Sequence, residues 1–267
     1  MDTYSLHRGT APLLISLPHD GSQIPDVIAA RMTAAACAAP DTDWHVARLY
    51  AFARELGASM LVPRYSRYVV DLNRPPDDTS LYPGQNTTGL CPTVQFDGVQ
   101  VYLPGQAPTT DEVARRVDSY WRPYHEALRH EIDRIHANHG RVVLWEGHSI
   151  RGSDLPMLFE GRLPDLNLGT SSGASCAPEL QSRLEAVLAS QTDYDWVANG
   201  RFKGGYITRH YGDPDAGIDA VQLEISQRNY MDEATFDYDP EKAARLRGSL
   251  LVLLQAAIQG GCRPAIA

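Results

Sequence analysis

No apolar run in this 267-residue chain is long enough to cross a bilayer. The longest, Leu250 to Leu254 followed by Ala256 to Ile258, falls far short of the ~20 residues a spanning helix needs. The segment from Met1 to Thr10 has no apolar core of the kind a secretory leader carries. A cytoplasmic protein that does not engage a membrane is therefore expected. Cysteine is sparse: the four, Cys37, Cys91, Cys176 and Cys262, lie far apart and none forms a C-x-x-C pair. That excludes a disulfide framework and a zinc knuckle, and leaves reduced thiols. A basic stripe is missing too. With a formal charge of −9 and no arginine-rich segment, the chain lacks a nucleic-acid footprint. There is no internal repeat and no low-complexity tract. The glycine-rich stretch Asn199 to Gly205 contains Lys203, but no Ser or Thr follows at the spacing of a phosphate-binding loop, so it reads as a flexible loop. Asn86-Thr87-Thr88 fits a glycosylation sequon, which carries no meaning in a cytosolic chain.

What is present is ordinary globular material: 43% hydrophobic and 21% charged residues, enough for a sizeable core. The length fits one large domain spanning residues 1–267. Short apolar or alternating runs at 12–18, 59–63, 67–74, 142–145, 194–197 and 220–226 read as strands. Helices are expected at 43–55, 111–139, 178–189 and 240–259, with Pro123 kinking or splitting the second. Strands alternating with helices predict an α/β fold, a mostly parallel mixed sheet with helices on both faces. The segment from Pro75 to Thr110 is rich in Pro, Gly, Asn, Asp and Thr, with a hairpin at Asp97-Gly98. A loop this long in a compact domain reads as a lid or a binding loop.

The most informative stretch is 141–150. Val142 to Trp145 is an apolar run, and Glu146, Gly147, His148 and Ser149 follow with no polar transition. Functional groups at the carboxyl end of a buried strand are how open α/β sheets build sites. Alternation places Glu146 and His148 on one side of the strand. His19, His148 and Glu224 stand at or near element ends. Two neutral imidazoles, a carboxylate and an open position make a catalytic zinc-type site. Residue types leave the third ligand open between Asp43, Glu146 and Asp20, and Asp43 serves equally well as a helix N-cap. Glu224, set among Val221, Leu223 and Ile225, is costly to bury without a partner and is a candidate general base. Arg67, Asn73, Arg74 and Arg209 form a basic set suited to a small anion with two carboxylates. The bland alternative is salt bridges to Asp71, Asp77 or Asp78.

Taken together, Pro18 to Gly21, Thr42 to Trp44, Ser66 to Arg74, Trp145 to Ser149, Asn199 to Gly212, Val221 to Ser226 and Tyr230-Met231 resemble the N-formylglutamate amidohydrolases over nearly the whole chain. The resemblance implies a fold like that of the zinc carboxypeptidases, within the phosphorylase/hydrolase-like group. It also implies metal-dependent hydrolysis of N-formyl-L-glutamate to formate and L-glutamate, in histidine degradation. One divalent ion is implied, zinc first, with cobalt or iron as other choices. His19 and His148 fall on the two histidine ligands, Glu224 on the catalytic glutamate, and Asn73-Arg74, with Arg67, on the substrate-binding residues of the related aspartoacylases. Ser22 departs from those relatives, which carry a glutamate ligand there, and Asp43 is taken as the third ligand. Arg209 completes the expected substrate set. Two rivals stand beside this reading: an amidase acting on another N-acyl amino acid, and a non-catalytic protein that captures an acidic ligand.

Overall fold

The structure is a computed structural model describing residues 2–81, 88–152, 155, 158, 159 and 161–259. Asn86, Cys262 and the 82–87 part of the long loop lie outside the described residues. The strands are β1 (Tyr4–His7), β2 (Leu13–Ser16), β3 (Ser59–Pro63), β4 (Val142–Ile150), β5 (Leu166–Gly169), β6 (Trp196–Ala198) and β7 (Ile218–Ser226). Three one-turn helices, α1 (Asp26–Ala29), α2 (Ala34–Cys37) and α3 (Val46–Leu49), precede the longer α4 (Thr110–Arg116) and α5 (Arg122–His139). The last three are α6 (Pro178–Ser190), α7 (Tyr206–Tyr211) and α8 (Pro240–Gln259). The sheet order is β1-β3-β2-β4-β7-β5-β6. β3, β2, β4 and β7 run parallel, as do β5 and β6, while β1 pairs antiparallel to β3 and β5 antiparallel to β7. The sheet is therefore α/β and mixed, with its centre parallel.

Strand periodicity divides the core into two layers. Leu13, Ile15, Val143, Trp145, Val221, Leu223 and Ile225 pack with Leu184 of α6 and Leu250 and Leu254 of α8. Leu14, Val142, Leu144 and Ala220 face the other way, onto Tyr124, Leu128, Ile132 and Ile135 of α5 and Ile207 of α7. Helices thus cover both faces, as a buried parallel sheet requires. The second face turns polar toward the carboxyl ends: Leu144 is followed on its side by Glu146 and His148, and Ala220 by Gln222 and Glu224. The first face stays apolar as far as Ile225. Gly147, between the two polar residues of β4, has no room for a side chain: a Cβ there would lie 2.7 Å from Leu17 Cδ2 and 3.1 Å from Tyr50 Cε2.

Several expectations are corrected. Residues 67–74 are not a strand but consecutive turns. The Asp71 carboxylate accepts from Asn73 N–H (2.9 Å), closing an Asx turn, and Arg74 N–H donates to Asp71 O (3.2 Å). The alternation that suggested a strand arises because Tyr68 and Val69 enter one apolar cluster and Val70 and Leu72 another. Residues 43–55 are not one helix: α3 starts after His45, which adopts a left-handed φ of 65°, and a 3-10 turn (Ala51–Arg54) follows. Arg209 lies in α7, for which no element was expected. Residues 111–139 are broken by a π turn at Val117–Trp121, just ahead of Pro123. Thr93 to Val101 closes the expected hairpin through Val94 opposite Gln100. No helix among the described residues is long and apolar enough to cross a membrane.

Candidate metal centre and anion cavity

β4 delivers His148, and the turn after β2 delivers His19. Their rings lie 4.9 Å apart, both buried. His148 is the register partner of Glu224 on β7. Asp43 reaches the pair from the segment before α3, its backbone N–H donating to His19 O (3.0 Å). The Asp43 carboxylate does not cap the helix. Its Oδ2 lies 3.0 Å from His148 Nδ1 and 3.8 Å from His19 Nδ1, and accepts from Ser149 N–H at 3.1 Å. Ligand atoms of His19, Asp43 and His148 all fall within 4.8 Å of one another, which a single ion can span.

The other nitrogen of each ring is held from behind. His19 Nε2 donates to Asp71 Oδ1 (2.7 Å), and His148 Nε2 donates to Glu146 Oε1 (2.8 Å). Those carboxylates are themselves fixed. Asp71 Oδ2 accepts from Arg67 Nη2 at 2.6 Å, and Glu146 Oε2 accepts from Thr208 N–H (3.1 Å) and its hydroxyl. With each Nε2 committed to its outer carboxylate, both Nδ1 atoms face Asp43, and a cation displacing the Nδ1 proton of His148 would leave both rings in the tautomer a metal ligand needs. Glu146 is therefore occupied on the far side of its ring. Asp20 is occupied as well: its carboxylate accepts from Ala47 N–H (2.8 Å) in α3, and burial pushes its pKa up to about 6. Of the three carboxylates left open by residue type, Asp43 alone converges with both imidazoles.

Electrostatics separate the two histidines. Burial lowers His19, and the Arg67 charge adds to that, outweighing Asp71. Burial would lower His148 too, but Glu146 and Asp43, one at each nitrogen, hold it well above its ordinary value. Asp71 pays for its burial through Arg67 first and then His19, and stays well below the usual carboxylate range. Glu224 has no such compensation: burial pushes it up to about 8, against the pull of His148. Asp43, Asp71, Glu146 and Glu224 are four buried carboxylates beside a single buried guanidinium, Arg67. Such a concentration of buried carboxyl groups around two inward-facing Nδ1 atoms fits a divalent cation.

A cavity opens over this cluster, lined by His19, Asp43, His148 and Glu224 on one side and by Arg67, Asn73, Arg74 and Arg201 on another. Phe96 and Phe202 contribute apolar walls. Arg67 makes the salt bridge to Asp71 that was the bland alternative, yet it also borders the cavity, and its Nε has no partner among the described residues. Arg74 has only neutral acceptors there: Thr88 O at 2.8 Å, Thr88 Oγ1 at 3.2 Å and Asn73 O at 3.1 Å. Its charge thus remains available to an anion. Asn73 Oδ1 accepts from Ile207 N–H (2.9 Å), and its Nδ2 lies 3.2 Å from His148 Nε2. Arg209 stands apart, exposed on α7 with Nε donating to Gly204 O (3.0 Å), and is not among the residues lining the cavity. Arg201, from the glycine-rich loop, lines the cavity. Its signal was the Arg-Phe pair inside that loop. The close approach of Gly205 to Asn73, where a Cβ would lie 2.3 Å from Nδ2, explains a glycine of that loop by packing.

Residues 11–231 match the N-formylglutamate amidohydrolase family. The chain is 50% identical to the N-formylglutamate deformylase of Pseudomonas putida over 258 residues, 96% of each protein. It is 51% identical to the enzyme of the same name from Pseudomonas aeruginosa over 261 residues, 97% of each. Among solved structures, N-formylglutamate amidohydrolase from Ralstonia eutropha superposes with a TM-score of 0.84 at 26% identity, covering 97% of this chain and 98% of that one. A protein of Agrobacterium tumefaciens shares the fold, with a TM-score of 0.72 at 18% identity over 97% of this chain and 96% of its own.

Proposed function

The chain belongs to the N-formylglutamate amidohydrolase family, and from that premise we propose that it hydrolyses N-formyl-L-glutamate to formate and L-glutamate in a metal-dependent reaction. We propose one catalytic domain over residues 1–267, acting in histidine degradation in the cytoplasm, where thiols such as Cys37 and Cys91 stay reduced. The observation that carries the reading is the convergence of His19, Asp43 and His148 beside Glu224, in a cavity that also holds three arginines.

The donor set, two imidazole nitrogens and a carboxylate with a side open to the cavity, suits zinc, and cobalt or iron also bind such ligands. An ion held there would supply Lewis acidity, polarising the attacking water and the formyl carbonyl. Everything else falls to the chain's own residues. Asp71 and Glu146 accept the Nε2 protons of His19 and His148 and so keep both Nδ1 atoms as ligands. Glu224 takes the proton of the attacking water and delivers it to the departing amine nitrogen. A carboxyl that burial places near pH 8 has a proton affinity close to what that exchange needs at neutral pH. A cation in the adjoining ligand set favours its ionised form. Arg67, Asn73, Arg74 and Arg201 bind the substrate carboxylates and fix the orientation of the scissile amide. Arg209 acts only indirectly in this scheme, through Gly204 of the same loop.

Metal analysis of protein purified without chelator, paired with a formate-release assay, tests the reading. About one divalent ion per chain is expected, since one ligand set is present among the described residues. Activity should disappear on chelation and return with zinc, cobalt or iron. Full turnover by protein stripped of metal would remove the ion from the reaction. Release from other N-acyl amino acids but not from N-formyl-L-glutamate would reassign the substrate.

A further inference from the structure

The π turn at Val117–Trp121 is followed one helical turn later by His125, and the two rings stack at 3.7 Å and 20°. Both are buried, at 8% and 4% exposure, and both aim a ring N–H at the turn that carries Asn73 and Arg74. Trp121 Nε1 donates to Arg74 O (3.0 Å), and His125 Nε2 donates to Leu72 O (2.9 Å). The His125 tautomer follows from its neighbours: Nε2 faces a carbonyl and must carry the proton, while Nδ1 accepts from Tyr211 O–H at 2.9 Å. Between them, Asn73 O accepts from Arg74 Nη1 (3.1 Å) and from Tyr206 N–H (3.4 Å). Three consecutive carbonyls, of Leu72, Asn73 and Arg74, are therefore satisfied, the outer two by the rings of Trp121 and His125 and the middle one by Arg74 and Tyr206. None is left to oppose an anion in the cavity.

We propose that Trp121 and His125 are positioning residues for substrate binding, clamping the carbonyls on either side of Asn73 and so setting the aim of Asn73 and Arg74. Neither ring lines the cavity, so neither touches substrate. A purely structural role would need only apolar volume against Leu128 and Tyr211. Instead two buried donors are committed to two carbonyls two residues apart, and π turns recur where a helix must re-aim side chains at a functional site. The inference rests on the reading that Asn73 and Arg74 hold the substrate carboxylates.

The test is a double-mutant cycle on KM and kcat for N-formyl-L-glutamate, using Trp121→Phe and Arg74→Ala in the metal-loaded enzyme. Phe keeps the ring against His125 but removes the N–H. Loss of one neutral hydrogen bond predicts a rise in KM of about threefold to tenfold, with kcat and metal content little changed. In the Arg74→Ala background the same substitution should have a much smaller effect, because the group it aims is gone. An equal effect in both backgrounds, or a lowered Tm with KM unmoved, overturns the inference. KM unmoved in Arg74→Ala alone overturns the substrate-binding reading itself, and this inference with it. Should Trp121→Phe not fold, the readout passes to His125. His125→Gln retains an amide donor for Leu72 O and should stay near the parent KM, whereas His125→Leu should not. Equal KM values for the two would reduce His125 to packing.

Discussion

On one wall of the cavity the functional side chains leave β4 and β7 at alternate positions. On the other they leave turns that are held together by hydrogen bonds to one another. His148 and Glu224 need nothing but strand register to face each other. Arg67, Asn73 and Arg74 need Asp71, Thr88, Ile207, Trp121 and His125 to stay where they are. Under the proposed function the strand wall carries one ligand, His148, and the proton acceptor, Glu224, while the turns carry the substrate-binding charges and also the other two ligands, His19 and Asp43. The difference predicts that damage to the two walls will look different in kinetics.

The largest effect is expected on the strand wall. Glu224→Gln preserves size but removes the proton acceptor, and kcat should fall by about 10²–10⁴-fold. Metal content and KM should stay near the parent values, and Tm should not drop, because no hydrogen bond among the described residues depends on the Glu224 carboxylate. A variant that unfolds while each folded molecule keeps its activity would make this glutamate structural and leave the two walls alike.

A smaller effect, of the opposite kind, is expected on the turn wall. Arg74→Ala removes a charge-assisted contact worth about 1.5–3 kcal/mol, so KM for N-formyl-L-glutamate should rise roughly tenfold to a hundredfold. Arg74→Lys should recover little of it, since an ammonium cannot reproduce the guanidinium fork. Steady-state kinetics showing a kcat loss with KM intact would break the division between walls.

A third effect, on stability rather than on kinetics, concerns acid. Burial pushes His125 down to about 3, with the His210 charge adding to the same direction. A histidine depressed in the folded state contributes stability that is complete above its unfolded value near 6.5 and is lost as pH falls toward 3. Each unit of separation corresponds to roughly 1.4 kcal/mol. Thermal melts from pH 7 to pH 4 should show His125→Gln losing less Tm over that window than the parent, even if it starts lower. Parallel slopes would mean that His125 plays no part in the acid sensitivity of the turn wall.

The same contrast decides what was legible in the sequence. β3 and α8 were read with their observed bounds, and β4 with its start, because apolar pattern and turn signals agree there. β5, four residues long with Asn167 in the middle, offers too little pattern to find. β1, with equally short alternation, was missed for the same reason. His19, His148 and Glu224 were visible as polar groups at the ends of apolar runs. Asp71 and Glu146 as the outer partners of the histidines were not, since His19 and Asp71 are 52 residues apart and only the fold brings them together. The turn at 67–74 resembles a strand because its apolar residues serve two clusters, Tyr68 and Val69 one and Val70 and Leu72 the other. Arg201 was hidden by reading its glycine-rich loop as mere flexibility, although Gly205 is there to let the backbone reach Asn73.

Asp71 belongs to both walls at once. One of its oxygens takes the proton of His19 and the other grips Arg67. A cation held by His19 would strengthen the hold of its ring on that oxygen, and an anion drawn to Arg67 would compete for the other. Occupancy at either place would then register at its neighbour, and thermodynamic reciprocity would make the two responses equal: whatever factor the cation applied to acidic-ligand affinity, the acidic ligand would apply to cation affinity. Measuring one factor would check the other, and through this single carboxylate the two occupants would share one binding polynomial.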